Sequence, residues 1–113
     1  MIVARAKLPR KARLSGAVHF TGQYDARRQG KYFTVLVRRK TSGPARLGVV
    51  AGRHAVPASV VRSMMKRMVR EVFRICRPRL GSIDVIVRIR QSAIGRNAAP
   101  ARQELETLLQ AAS

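Results

Sequence analysis

The chain has 113 residues, with 24 Lys or Arg against five Asp or Glu, which gives a formal net charge of +19. This length fits one domain, and 46% hydrophobic residues are enough for a packed core, so wholesale disorder is not expected despite the charge. No apolar run reaches the roughly 18 residues of a membrane span, and the N-terminal end lacks a signal-peptide core. A single cysteine, Cys76, excludes an internal disulfide framework and indicates a reducing cytosol.

The basic residues predict a polyanionic partner. Nineteen of the 24 are Arg, whose planar guanidinium fits phosphate oxygens bidentately and stacks on bases. The five acids are too few for the mixed-sign surface of an ordinary soluble domain, so nucleic acid is favoured over an anionic membrane surface. Eleven basic residues fall within residues 1–40 and eight within residues 53–79, whereas residues 97–113 are nearly balanced. We therefore expect the polyanion to meet the first two stretches and the C-terminal segment to cover the core.

The N-terminal region predicts an arm and a short helix. Residues 1–13 alternate basic and small residues around Pro9 without a helical stripe, which is typical of a flexible basic arm that orders on its ligand. Ser15 can cap a short helix over residues 15–24. Residues 14–113 are then expected to form a single RNA-binding α+β domain.

Three segments read as strands. Residues 31–39 are rich in aromatic and β-branched types, and a turn at 41–44 separates them from a second strand over 45–52. The short connection predicts that these two strands pair as an antiparallel hairpin. Residues 83–89 are short and dominantly apolar, which predicts a strand inside the sheet.

Two further helices are predicted. The longest periodic segment covers residues 58–76, and we expect it to end before Pro78, because proline lacks a donor and clashes inside a helix. A loop over residues 92–100 follows the last strand. Pro100 then opens a final helix over residues 101–111. The pattern as a whole predicts a small α+β domain in which helices cover one sheet.

A helical wheel separates the central helix into two arcs at about 100° per residue. One arc is apolar and consists of Val61, Met64, Met65, Met68, Val72, Ile75 and Cys76, with Val69 and Phe73 at its margin. The other arc is basic and consists of Arg62, Lys66, Arg70 and Arg77, extended by Ser63, Arg67 and Arg74. Like charges four residues apart destabilise an isolated helix by some tenths of a kcal/mol per pair, so this face predicts an external anion. The methionines are interpreted as pliable core packing.

The chain shows no catalytic apparatus of its own. His19 and His54 lack a partner arrangement for a metal or a nucleophile, and one cysteine is too few for a zinc site. The acids other than Glu71 form no recognisable acid/base pair. The sequence therefore predicts neither catalytic residues nor a metal site on the protein.

The segment from Arg62 to Arg74 (RSMMKRMVREVFR) resembles the signature helix of the bacterial ribonuclease P protein subunit. That family typically reads Arg-Asn-Arg-(Ile/Leu)-Lys-Arg, two variable residues, Arg-Glu, one residue, then Phe-Arg. Here Ser63 stands in place of Asn, Met64 in place of the second Arg, and Gly52-Arg53 carries less charge than the family's double lysine.

Other segments resemble the same family in order, from about residue 13 to residue 110. Arg46 to Val50 is similar to its strand before the basic segment, and Asp84 to Val87 to its Asp-hydrophobic strand. Glu104 to Leu109 resembles its closing helix. Arg13-Leu14, followed by Phe20 and Tyr24, resembles its opening helix.

The resemblance implies a small single-domain α+β sandwich with three helices and a mixed sheet of about four strands, in the order α-β-β-β-α-β-α. It also implies a left-handed βαβ crossover, the opposite of the usual hand. It implies a cytoplasmic RNA-binding subunit of ribonuclease P, an endoribonuclease in which a large RNA uses bound Mg²⁺ to remove the 5′ leader of precursor tRNA. The non-catalytic protein docks on that RNA and guides the leader, with no obligate protein partner evident.

The resemblance also implies two sets of site residues. The RNA-binding set is Arg13, Arg53, Arg62, Ser63, Lys66, Arg67, Arg70 and Arg74. The leader-binding cleft is lined by Phe20, Tyr24 and Phe33, since aromatic faces stack on any base. For Phe20 and Phe33, ordinary core packing is an equally good interpretation.

The main alternative is a structural ribosomal or ribosome-associated RNA-binding protein without a role in tRNA cleavage. A duplex DNA-binding module is less favoured because no helix-turn-helix pair is visible. A membrane-surface helix is less favoured because the strands on both sides of the central helix indicate a packed domain. The sequence leaves open the cognate RNA, self-association and the effect of Ser63 and Met64.

Overall fold

Four strands and two helices make up the part of the chain that the computed structural model describes, residues 24–52, 56–91 and 99–112. In chain order these elements are β1 (Ala26–Gln29), β2 (Phe33–Arg39), β3 (Arg46–Val50), α1 (Ser59–Leu80), β4 (Ile83–Ile89) and α2 (Ala99–Ala112). They form a small α+β domain with one mixed sheet, as predicted. The predicted arm over residues 1–13 lies outside the described residues, as does the predicted helix over residues 15–24 apart from Tyr24.

The strand order in the sheet is β1-β2-β4-β3. β2 is antiparallel to both β1 and β4, whereas β3 runs parallel to β4. The predicted hairpin between β2 and β3 is therefore wrong, because β4 lies between them. A strand that is buried on both faces is most stable where both of its edges are hydrogen-bonded, and β2 and β4, the two inner strands, have that character. The position of β4 inside the sheet confirms the prediction for residues 83–89.

β3, α1 and β4 form a parallel crossover unit, the kind of connection that the family resemblance implies. Its left-handed sense stays a prediction. The resemblance implies a third strand before the central helix, but the residue pattern did not locate β1, because the sequence Ala-Arg-Arg-Gln has neither apolar alternation nor β-branched residues. It forms as the antiparallel neighbour of β2 at the edge of the sheet.

α1 continues through Pro78 to Leu80, so the predicted end before Pro78 is wrong. Pro78 lies in the last turn, where its missing N–H removes only the hydrogen bond to the carbonyl of Arg74. Leu80 is buried in the core and holds this last turn in place. The helix ends at Leu80 and is followed by the C-cap residue Gly81, whose φ of 73° suits a residue without a side chain.

The main core lies between one face of the sheet and the two helices. From the sheet it contains Phe33, Val35, Val37, Val85, Val87 and Ile89. From the helices it contains Met65, Val69, Val72, Phe73, Ala101, Leu105 and Leu109. The wheel placed Met64 and Ile75 on the apolar arc, but both are exposed, because the buried stripe is centred on Met65 and Val72.

α2 fastens the turn between β1 and β2. The carboxylate of Glu104 accepts hydrogen bonds from the backbone N–H groups of Lys31 (2.8 Å), Tyr32 (2.8 Å) and Phe33 (3.1 Å). A Cβ at Gly30 would lie 2.5 Å from the Glu104 carboxyl carbon, so glycine permits this close approach.

The described helices include none that is long and apolar enough to cross a membrane.

Candidate nucleic-acid interface

Among the described residues of the predicted RNA-binding set, those in the first half of α1 are the most exposed to solvent. Ser63 and Arg67 are exposed, and Lys66 is partly exposed. None of the three has a hydrogen bond or ion pair with another described side chain. These side chains project outward because Met65 and Val69, on the opposite side of the helix, are buried against the sheet. This half of the helix can therefore accept phosphates.

Arg62 is partly engaged by the protein. Its Nη1 donates hydrogen bonds to the carbonyl oxygens of Val56 (2.9 Å) and Pro57 (2.7 Å), in the segment that leads into the helix. Arg62 therefore anchors the segment before the helix, a role that the helical wheel does not indicate. An RNA contact from the rest of its guanidinium stays a prediction.

The second half of α1 is less available than the wheel predicts. Arg74 is mostly buried, and its Nη2 lies 2.7 Å from Oε1 of Glu71, three residues earlier on the helix. Its Nε is also buried and has no hydrogen-bond partner. The ion pair and the low exposure make Arg74 a weaker candidate than Lys66 or Arg67, and its RNA contact stays a prediction. Arg77 donates from Nε to the carbonyl of Ala45 at 2.9 Å, and Arg70 is partly buried and interacts within the chain.

The predicted leader contact at Phe33 is also wrong. Phe33 is 0% exposed and lies on the core face of β2 with Val35 and Val37. Because side chains alternate along a strand, the other face of β2 carries Thr34, Leu36 and Arg38 instead. A completely buried ring cannot stack on a base, so Phe33 is a core residue.

Tyr24 lies on the face of the sheet that points away from α1. It packs against a small cluster formed by Leu36 and Ile86, with Val50 beside it. The guanidinium carbon of Arg38 is 5.3 Å from the centroid of the tyrosine ring, a cation–π distance. An aromatic ring with an arginine beside it is suited to a nucleobase and its phosphate, so the structure keeps Tyr24 as a candidate leader contact.

The same face carries basic residues that sequence reasoning missed. Arg88 is exposed and pairs in register with Thr34, and Arg27 of β1 pairs in register with Leu36 and is also exposed. The alternation in β2 and β4 could have identified Arg38 and Arg88. Arg27 could not be found in this way, because β1 has no strand pattern. Arg13, Phe20 and Arg53 of the predicted sets lie outside the described residues.

Asp84 is a structural carboxylate in the centre of the sheet. Arg46 donates to it bidentately, with Nε 3.0 Å from Oδ1 and Nη2 2.9 Å from Oδ2, and Lys40 Nζ lies 3.0 Å from Oδ1. Burial opposes ionisation of Asp84, but the hydrogen bonds and charges of Arg46 and Lys40 outweigh this and hold its pKa below the ordinary value. The hydrogen bond to Asp84 also raises the pKa of Arg46.

The described acids do not form a metal site or a catalytic pair. Besides Glu71, Asp84 and Glu104, the carboxylate of Asp25 is also engaged, since it accepts a hydrogen bond from the Arg39 N–H at 2.6 Å. Within residues 24–52, 56–91 and 99–112, no group of three His, Cys, Asp or Glu residues could hold a metal ion. Burial raises the pKa of the Cys76 thiol, which leaves it less reactive.

Sequence comparison connects these features to one family. The family model described as Ribonuclease P matches residues 8–113. A ribonuclease P protein component from Ralstonia pickettii is 35% identical over 115 residues, which covers 93% of this chain and 81% of the relative. The corresponding protein of Methylococcus capsulatus is 35% identical over 100 residues, with 87% of this chain and 78% of the relative covered.

Solved structures show the same fold. The Staphylococcus aureus RNase P protein matches with a TM-score of 0.78 at 24% identity, covering 90% of this chain and 95% of the other. The Thermotoga maritima RNase P protein matches with a TM-score of 0.67 at 28% identity, covering 76% of this chain and 82% of the other. None of these matches supports the ribosomal-protein alternative. With the family model spanning nearly the whole sequence, the chain belongs to the ribonuclease P protein family.

Proposed function

We propose that this chain docks on the catalytic RNA of ribonuclease P through the first half of α1 and guides the 5′ leader of precursor tRNA on the opposite face of its sheet. Family membership makes it an RNA-binding component of an endoribonuclease ribonucleoprotein that processes the 5′ end of tRNA. The finer assignment has three parts: two separate RNA sites, catalysis by the RNA, and a cytoplasmic location.

The observation that carries the proposal is the placement of two basic surfaces on opposite sides of the molecule. Ser63, Lys66 and Arg67 project from the solvent side of α1, which packs on the core face of the sheet. Tyr24 and Arg38, with Arg88 nearby, lie on the other face. One protein can thus contact two RNAs at once, which is what a subunit that joins a catalytic RNA to its substrate requires.

The chemistry of the described carboxylates supports catalysis by the RNA. Four of them are held by protein cations or backbone N–H groups, and they do not converge on one point. This donor set does not fit Mg²⁺, which prefers carboxylates and waters in octahedral geometry. The proposal therefore leaves the Mg²⁺ to the partner RNA, and the protein contributes charge and positioning.

The docking part is tested with the double variant Lys66→Ala/Arg67→Ala. We expect its dissociation constant for the catalytic RNA to rise about tenfold or more in 0.1 M salt, because two phosphate contacts are lost. The matched control is Arg79→Ala/Arg102→Ala, which removes the same charge elsewhere and should change the constant less than about threefold. Circular dichroism should remain unchanged in both. Equal effects of the two pairs would show that only net charge matters.

The leader part is tested by cleavage of precursor tRNA in the reconstituted ribonucleoprotein at low Mg²⁺. Addition of the protein should increase the cleavage rate or the substrate affinity. Tyr24→Ala should then weaken binding of precursor tRNA by about tenfold, as expected for one lost base–aromatic stack, and leave binding of mature tRNA unchanged. A protein that changes neither rate nor affinity would contradict the proposed function.

A further inference from the structure

The solvent side of α1 carries apolar side chains beside its cations. Val60 is 70% exposed, Met64 is 44% exposed and Ile75 is 57% exposed. Val60 and Met64 are four residues apart, so they lie one turn from each other on the same side of the helix. Ser63 and Arg67 adjoin them and are exposed as well. The first half of α1 therefore presents a surface that is apolar on one side and cationic on the other.

The charge of the molecule identifies what can cover this surface. A second copy of the chain would bring another net charge of +19 against Lys66 and Arg67, whose charges no described acid neutralises. The occupant must instead be a polyanion. Phosphate gains nothing from the side chains of Val60 and Met64, which bury favourably only against an apolar group. A nucleic acid with an unstacked nucleoside supplies both kinds of group.

The second half of α1 does not extend this surface. Glu71 lies between Met64 and Ile75, and its carboxylate is exposed enough to repel a phosphate even though Arg74 pairs with it. Ile75 therefore lies outside the region that a polyanion can cover closely. The apolar side of the interface is limited to Val60 and Met64.

We infer that the side chains of Val60 and Met64 contact one unpaired nucleoside of the RNA that docks on α1. This inference rests on the proposed docking role and adds a contact that does not depend on charge. The surface then recognises RNA by a base or ribose face as well as by phosphate. Met64 contributes to affinity without adding to its salt dependence, whereas a cation at this position would add to both.

The inference is tested by measuring the dissociation constant for the catalytic RNA between 50 and 400 mM salt. Met64→Ala and Val60→Ala should each weaken binding about five- to tenfold at every salt concentration, the change expected when apolar contact equivalent to one or two methylene groups is lost. The slope of log K against log salt should stay unchanged. Arg67→Gln should instead reduce the slope by about 0.7 to 0.9.

Ile75→Ala is the matched control, because it also truncates an exposed apolar residue of α1, and it should change binding less than twofold. A photoreactive side chain at position 64 should cross-link to one nucleoside. RNA made abasic at that nucleoside should bind the wild type and Met64→Ala with equal affinity.

Four results would overturn the inference: unchanged binding by Met64→Ala, an equal loss with Ile75→Ala, a changed salt slope, or self-association that Met64→Ala abolishes in sedimentation. Met64→Gln, which keeps the length of the side chain, should reproduce the loss if the contact is apolar. If Val60→Ala and Met64→Ala leave the dissociation constant unchanged while Lys66→Ala/Arg67→Ala raises it, the inference fails and the docking role stands. If Lys66→Ala/Arg67→Ala is neutral too, the proposed function fails.

Discussion

A single carboxylate joins three segments of the sheet at Asp84. Arg46 belongs to β3, Asp84 to β4, and Lys40 to the connection after β2. The two ion pairs therefore link β4 to segments that are far from it in the sequence. In a protein with a net charge of +19, each of these cations would otherwise repel its neighbours. The carboxylate therefore contributes to stability and not to chemistry.

Asp84→Asn should lower the free energy of unfolding at pH 7 by about 2 kcal/mol or more, because it leaves two cations beside a buried amide. The pKa of Asp84 is lowered in the folded state, so its contribution is complete above the ordinary Asp value of about 4. It is lost as the pH falls through the lower, folded value.

Urea unfolding between pH 7 and pH 2 should therefore show the wild type and Asp84→Asn converging in acid. Glu106→Gln removes the same charge from a carboxylate without an ion pair among the described residues, and it serves as the control. A difference that stays constant with pH would contradict this account.

The turn at Gly30 depends on the absence of a side chain. A Cβ at position 30 would lie 2.5 Å from the carboxyl carbon of Glu104. Gly30→Ala would therefore push this carboxylate away from the three backbone N–H groups that donate hydrogen bonds to it. We expect a loss of about 2 kcal/mol in the free energy of unfolding. Gly52→Ala is the control, because nothing lies within 4 Å of a Cβ there. Equal stability of the two variants would show that Glu104 can move without cost.

At the scale of elements, local patterns located most of the strands and helices but did not predict which strands pair in the sheet. Residues 83–89 form β4 as predicted, because a short and dominantly apolar segment is typical of a strand inside a sheet. The pairing of β3 could not be predicted, since a short turn and two strand patterns are equally consistent with a hairpin and with insertion of a third strand. The wheel found the two-sided character of α1, but it could not identify Arg74 as an internal partner of Glu71.

The end of α1 depends on Leu80 rather than on Pro78. Leu80→Ala should lower the free energy of unfolding by about 2–4 kcal/mol, because a buried leucine is replaced by a cavity. It should also shorten the helix, which circular dichroism measures, since Pro78 then limits the last turn. Adding Pro78→Ala should recover the helical signal without recovering the stability. A shortened helix in Pro78→Ala/Leu80→Ala would contradict this explanation.

At the scale of the whole molecule, charge is present on every side, but it is not equally available. In the second half of α1, Arg74 pairs with Glu71 and Arg77 donates to a backbone carbonyl. Arg67 in the first half of α1 is exposed, as are Arg27 and Arg88 on the outer face of the sheet. The basic composition predicted an RNA partner from the sequence alone. It could not predict that the two open surfaces lie on opposite sides of the sheet, because that depends on strand register.

Binding to the catalytic RNA should depend strongly on salt. Neutralising about six phosphates implies a slope of roughly −4 to −5 for log K against log salt. Lys66→Ala/Arg67→Ala should make this slope shallower by about 1.4 to 1.8. Affinity measured by filter binding from 50 to 400 mM salt tests both values, and a flat response would exclude docking through α1 cations.

The insertion of β4 between β2 and β3 has a consequence for synthesis on the ribosome. Until residue 89 has left the exit tunnel, β2 and β3 have no partner between them, and the apolar sides of both strands and of α1 lack their shared support. A nascent chain that stops short of this point has α1 and the β1–β2 pair, but it lacks the strand that joins β2 to β3. We therefore expect the complete four-stranded sheet to form only after synthesis of β4, near the end of translation.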